Sequence, residues 1–323
     1  MNNSPVFSEC TVSAIHHAAE ALKAGHLVAF PTETVYGLGG DARNPDAIKR
    51  IYEVKGRPSD HPLIIHISSI SMLEKWARDI PEYAISLARN FWPGPLTLIL
   101  KRSSLVGDFV SGNQDTVGLR VPSDPIAQEL IIEFERLSGS AIAAPSANQF
   151  GQVSPTSSAD VQEEIGIKLS EFDLILDGGT STIGIESTIV DCTGGIPRIL
   201  RSGFVTKEDI EEATRIEVSE DAVNSEIKFS GSFEKHYSPK CRVILGTSEV
   251  DGSGFLALSH IPTPPSMERL AAPNSVEEFA RVLYSTMRAA DQKGFRDLVV
   301  VQPEGQGLAL AINDRLLKAS KGR

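Results

Sequence analysis

The sequence predicts an α/β protein: a twisted sheet of mixed parallel and antiparallel strands with helices, followed by a small C-terminal α/β domain of Rossmann-like type. Three observations lead there. Short apolar runs alternate irregularly with segments of helical period, and several strands succeed one another with no room for a crossover helix. Residues 216–235 are polar, rich in Glu and Ser and poorly periodic, which reads as a crossing between two units. Beyond residue 240 the alternation becomes regular. The expected organisation is a first domain over 1–215, a linker over 216–239 and an accessory domain over 240–323. A chain of 323 residues is long for one hydrophobic core and suits two unequal ones.

The elements follow in order. Val12, Ile15, Ala19 and Leu22 recur at helical spacing, and Gly25 is a natural stop. The apolar run 27–30 is a buried strand. Asn44 before Pro45 has the form of a helix cap and first turn, leading into Ala47, Ile48, Ile51 and Val54 on one face. Residues 63–67 form a further strand, and Ser71 with Glu74 a capping box. Short strands are expected over 97–100, 117–121, 141–144, 174–176 and 188–190, and Thr206 caps a helix over 207–213. In the last domain, strands over 243–245, 255–259 and 298–301 accompany helices over 276–293 and 308–319.

Composition narrows the function. The formal net charge of -11 would repel a polyanion, so a broad nucleic-acid face is not expected, although a few cations can still hold one nucleotide. Cys10, Cys192 and Cys241 are too few and too far apart for a disulfide framework or a zinc site. No secretory signal and no bilayer-spanning apolar run is visible, which makes the cytoplasm the expected compartment.

The stretch 30–67 carries most of the chemistry. Thr32, Thr34 and Tyr36 would line a turn, and Gly37, Gly39 and Gly40 would let it approach a ligand or take positive φ; a hydroxyl-capped tight turn is the plainer reading. The spacing is neither a P-loop nor a dinucleotide fingerprint. Lys55 and Arg57 flank Gly56 just beyond a helix end. They either cap the helix dipole in solvent or hold phosphates on a rigid turn. His66 alone reads as a structural strand histidine. Arg120, inside an apolar strand, needs an acidic side chain or a ligand carboxylate. Ser146 and Asn148 follow Ala144 where a strand runs into a loop, and Ser154-Pro155-Thr156 begins the next helix. Ser187 and Thr188 place hydroxyls at a strand mouth, and Arg201 follows. No Gly-x-Ser-x-Gly elbow, H-E-x-x-H or kinase loop occurs, so covalent nucleophilic catalysis and a tightly held transition metal are not expected.

Taken in order, FPTETVYGLG, KGRPS, PLIIHI, FWPGPLTLIL, VGLRVP, APSAN, GIESTIVD and ILRSG resemble the YrdC-like family, in its long two-domain threonylcarbamoyl-AMP synthase form. FEKHYSP is similar to the linker motif of that form, and EGQGLALAINDRLLKAS to its accessory domain. The resemblance implies a nucleotidyltransferase that converts L-threonine, bicarbonate or CO2, and ATP with Mg²⁺ into threonylcarbamoyl-AMP and pyrophosphate. It places Thr34, His66, Arg120, Ala144 and Ser187 around threonine. It places Lys55, Arg57, His61, Thr116, Ser146, Asn148, Ser154, Arg201, His236 and Tyr237 around ATP, with Lys55 and Arg57 as the catalytic cations. His61 stands where the family usually has Asn, and SANQFG where it often has SANLSG. A downstream threonylcarbamoyl transferase complex is the implied partner. Rival readings are an RNA-binding module and a carbamoyl-adenylate domain of the hydrogenase-maturation kind. The accessory domain could also be regulatory or a docking surface.

Overall fold

The computed structural model describes residues 6–7, 11–219, 227–229, 231 and 236–322. Much of the expected linker, including Phe233, Glu234 and Lys235 of its motif, lies outside them.

The larger sheet has 11 strands. Its order is Val6–Phe7, Leu174–Leu176, Val28–Phe30, Gly37–Asp41, Ile142–Ala143, Ile64–His66, Thr116–Arg120, Leu96–Arg102, Thr188–Asp191 and Arg198–Arg201. Ala77–Arg78 pairs off this path with Leu96–Arg102. Parallel and antiparallel pairs mix, as the irregular alternation predicts: Ile64–His66 runs parallel to Thr116–Arg120 and antiparallel to Ile142–Ala143.

Capping chemistry positions the helices. Thr11 accepts from the Ala14 amide at the start of Val12–Lys23. Asn44 accepts from the Asp46 and Ala47 amides at the start of Pro45–Lys55, and Asp124 does the same for Pro125–Ser138. Ser157 and Thr206 form full capping boxes with Asp160 and Asp209, each of this kind worth about 1 kcal/mol.

Three sequence expectations need correction, and one strand was not foreseen. Residues 37–41 form a strand rather than a turn, and Gly37, Gly39 and Gly40 serve it by lacking side chains. A Cβ on Gly39 would meet Ile142 Cγ2 at 2.7 Å and Phe30 Cε1 at 2.9 Å. The capping box at Ser71 is absent: a 3-10 turn, Ile70–Met72, precedes the short helix Leu73–Trp76, and the Ser71 hydroxyl meets that of Ser69 instead. Residues 154–156 do not begin a helix. They stay extended, because the Pro155 and Thr156 carbonyls accept from the Tyr36 and Ser181 amides, and the helix Ser158–Ile165 starts later. Arg198–Arg201 is a strand that apolar content alone does not announce.

The smaller sheet is all parallel, in the order Arg242–Leu245, Asp297–Val300, Gly254–Leu256, Glu268–Ala271. Helices Val276–Gln292 and Leu308–Ser320 share its core. Val35, Val153 and Ile185 of the larger unit enter that same core, so the seam between the units is partly apolar. Among the described residues no helix is long and apolar enough to cross a membrane.

Candidate active site

The site lies where strand ends and their following loops converge. In the sheet register His66 sits beside Arg120, both buried. Arg120 Nη2 donates to Glu33 Oε1 at 2.6 Å, and the Ser123 amide donates to Glu33 Oε2 at 3.1 Å. The guanidinium is thus fixed by an acidic side chain of the FPTETVYGLG motif, while its Nε has no hydrogen-bond partner among the described residues. Burial, reinforced by the Arg120 charge, pushes His66 down to about 3, so its imidazole is neutral. Thr32 and Thr34 share a hydrogen bond of 2.9 Å beside them.

Helix Pro45–Lys55 ends on Gly56 at φ 61, a left-handed turn that glycine adopts without steric cost. Lys55, the last residue of that helix, lies on its buried side rather than in solvent, and the solvent-cap reading of it falls. Its Nζ donates to the Ser146 and Asn148 carbonyls at 2.5 Å each, and the residue is 2% exposed. Arg57 Nη2 donates to the Pro62 carbonyl at 2.9 Å. Burial lowers Arg57 to about 10, with the charge of Arg201 acting in the same direction. Lys55 is lowered well below its ordinary value, first by burial and then by Arg57. Arg201 is lowered by burial; its Nε donates to the Ser187 carbonyl at 3.0 Å and its Nη2 to the Ser187 hydroxyl at 3.1 Å. Three buried cationic side chains thus gather in one region, a pattern that suits an anionic ligand.

One pocket, with a cavity volume of about 50 Å³, joins these groups. Thr34, Arg57, His66, Arg120, Ala144, Ser146, Ser187, Arg201, His236 and Tyr237 line it, and Glu186 is the one carboxylate on its wall among the described residues. Five expected residues stand back from that wall. Lys55 and Asn148 lie behind Ser146, and Asn148 Nδ2 donates to the Gln149 and Gln152 carbonyls. Ser154 donates to Glu186 Oε1 at 2.7 Å. His61 faces Phe150, with ring centroids 6.2 Å apart, and Thr116 pairs with Lys101 at a strand start.

Residues 20–203 match the family of Sua5, YciO and YrdC, described as Telomere recombination. Residues 205–321 match the family described as Threonylcarbamoyl-AMP synthase, C-terminal domain. The threonylcarbamoyl-AMP synthase of Pyrococcus abyssi is 39% identical over 95% of this chain and 94% of its own. The chain belongs to the Sua5/YrdC family. The enzyme of that name from Bacillus subtilis is 36% identical over 96% and 93%. Of solved Sua5/YrdC structures, P. abyssi Sua5 complexed with L-threonine matches with a TM-score of 0.84 at 37% identity, covering 100% of this chain and 98% of that one.

For a Sua5/YrdC chain, the residues that sequence reasoning left out are informative. Glu33 and Glu186 both lie inside the recognised motifs, and both are buried. For Glu33, a lone carboxylate in a motif otherwise made of apolar and hydroxyl residues was the available signal, since it must find a cation indoors. Thr97, whose hydroxyl meets that of Ser187 at 2.8 Å, had no such signal.

Proposed function

We propose that the chain is a threonylcarbamoyl-AMP synthase, forming threonylcarbamoyl-AMP and pyrophosphate from L-threonine, CO2 (or bicarbonate) and ATP, for threonylcarbamoyladenosine modification of tRNA. The observation that carries this reading is a single buried cavity that joins Arg120 and a neutral His66 to the cations Arg57 and Arg201. Such a wall suits an amino acid carboxylate and a nucleotide phosphate side by side.

In the proposed reaction Arg120, steadied by Glu33, takes the threonine carboxylate, and Thr34, His66, Ala144 and Ser187 surround the rest. The neutral amine attacks CO2 and loses a proton. A carbamate oxygen then attacks the α-phosphorus, and the bond to pyrophosphate breaks. This displacement needs alignment and charge neutralisation more than an acid–base pair. Lys55, Arg57 and Arg201 supply the field, with Ser146, Asn148, Ser154, His61 and Thr116 as the remaining nucleotide positions.

His236 and Tyr237 form the cover. Tyr237 is fully buried at φ 60, and neither its hydroxyl nor His236 Nδ1 has a hydrogen-bond partner among the described residues. Orphaned polar atoms facing a cavity fit contacts to a bound nucleotide. The Mg²⁺ of this reading accompanies the ATP phosphates.

We place the catalytic unit at 1–215, the linker at 216–239 and the accessory unit at 240–323. Helix Lys207–Thr214 supports that boundary, because Ile210 joins the core of the larger unit and Ser86 donates to the Ala213 carbonyl. A downstream transferase would consume the product in the cytoplasm, without stable nucleic-acid binding by this chain. The test is to incubate the protein with ATP, Mg²⁺, bicarbonate and labelled threonine and to measure pyrophosphate and a labelled adenylate. Pyrophosphate release that ignores threonine would refute the proposal.

A further inference from the structure

We propose that Tyr284 and Arg315, in the second unit, are positioning residues for the nucleotide site: they hold Glu186, and Glu186 holds Ser154. The proposal rests on the synthase reading, in which Ser154 lies at ATP. Tyr284 belongs to helix Val276–Gln292 and Arg315 to helix Leu308–Ser320, so neither comes from the unit that carries the cavity's strands.

The four side chains form a closed cluster. The Tyr284 hydroxyl reaches Glu186 Oε2 at 2.9 Å and Oε1 at 3.1 Å. Arg315 Nε donates to Glu186 Oε2 at 3.3 Å, and Ser154 donates to Oε1 at 2.7 Å. Ser154, Tyr284 and Arg315 are each 0% exposed. Burial pushes the Glu186 carboxyl up, but Arg315, Arg201 and the Ser154 bond outweigh it and hold the group below its usual range. Glu186 therefore stays an anion with donors from both units. Removing one donor leaves a buried charge short of a partner, and the carboxylate can then rotate away from Ser154.

The second unit touches the cavity's loops at other points. Arg315 Nη1 donates to the Ser202 carbonyl at 2.6 Å, next to Arg201, and Arg288 Nη2 donates to the Val153 carbonyl at 2.5 Å, next to Ser154. A Cβ on Gly184 would lie 2.6 Å from the Ala280 carbonyl oxygen, so the loop before Glu186 presses directly on helix Val276–Gln292. Ser187, by contrast, has its hydroxyl held by Thr97 and Arg201 within the first unit. The clamp thus acts on the nucleotide side and leaves the threonine side alone.

Tyr284→Phe isolates the clamp, because it removes the hydroxyl and keeps the ring that stacks on Tyr237 at 5.7 Å. The experiment uses the full chain with saturating threonine, bicarbonate and Mg²⁺. Pyrophosphate release is followed against ATP for wild type, Tyr284→Phe, Ser154→Ala and the pair. Tyr284→Phe is expected to raise KM for ATP about tenfold, as loss of one hydrogen bond to a charged group does. The expected kcat stays within about twofold, and KM for threonine is unchanged. In the Ser154→Ala background the same substitution has no further effect on KM for ATP.

Additive effects, or a wild-type KM for ATP in Tyr284→Phe, overturn the proposal. A lower melting temperature with unchanged KM marks a merely structural contact and overturns it equally. If Tyr284→Phe does not fold, Arg315→Lys in the same cycle decides by the same criterion. If wild type itself releases no threonine-dependent pyrophosphate, it is the synthase reading that fails. The cycle is then read as Kd for a non-hydrolysable ATP analogue, which still decides whether the clamp sets a nucleotide site.

Discussion

At the scale of single residues, the Arg120–Glu33 pair is the buried ion pair on which the proposed threonine site rests. Both side chains are 5% exposed, so losing Arg120 alone strands a buried carboxylate, at a cost of about 3–5 kcal/mol. Arg120→Met is therefore expected to melt early and to lose threonine. Arg120→Met combined with Glu33→Gln should recover most of the stability, while KM for threonine stays raised about a hundredfold. Recovery of threonine affinity in the double variant would show that Arg120 does not hold the carboxylate. His66 makes a prediction about pH. Its folded value, about 3, lies below the ordinary 6.5, so the unfolded chain binds the proton more readily. Its contribution is complete above about 6.5 and is lost at up to about 1.4 kcal/mol per pH unit as pH falls toward 3. Urea midpoints between pH 7.5 and pH 4.5 should fall less steeply in His66→Asn than in wild type. Residue types alone showed that these groups suit a nucleotide and a carboxylate. They could not show that Arg120 already carries an internal anion, because Glu33 lies 87 positions away in sequence.

At the scale of elements, glycine content hid a strand and local capping revealed helices. Strand Gly37–Asp41 has almost no side-chain signal of its own; its existence depends on Phe30 and Ile142 filling the space its glycines leave. Gly39→Ala should cost about 1–3 kcal/mol through overpacking. A chemical denaturation curve checks this, and an unperturbed midpoint would mean the strand does not pack as described. The helix start at Asn44-Pro45 was legible because the cap is local; Asp124-Pro125 works in the same way but was not read from the sequence. Ser71 and Glu74 had a matching pattern and failed, since the chain there completes only a single 3-10 turn before Leu73–Trp76. Local chemistry identifies a cap only where enough helix follows it.

For the whole molecule, the cavity depends on parts brought from outside the larger sheet. His236 and Tyr237 line it, and the second unit supports Tyr237 through the Tyr284 stack and the Arg315 guanidinium 5.8 Å from its ring. The double variant His236→Ala with Tyr237→Ala should bind threonine normally yet lose at least about tenfold in adenylate formation, because water reaches the labile carbamate. Undiminished adenylate formation would remove the cover from the mechanism. The larger sheet also has a consequence for how the chain is born. Val28–Phe30 pairs with Leu174–Leu176, and Leu96–Arg102 with Thr188–Asp191, so the first strands off the ribosome wait for partners made much later. Such distant pairings are slow to close, and the waiting edges are exposed to neighbouring nascent chains. Synthesis must pass Asp191 before Thr97 can meet Ser187, so no shorter nascent fragment can hold a complete substrate pocket.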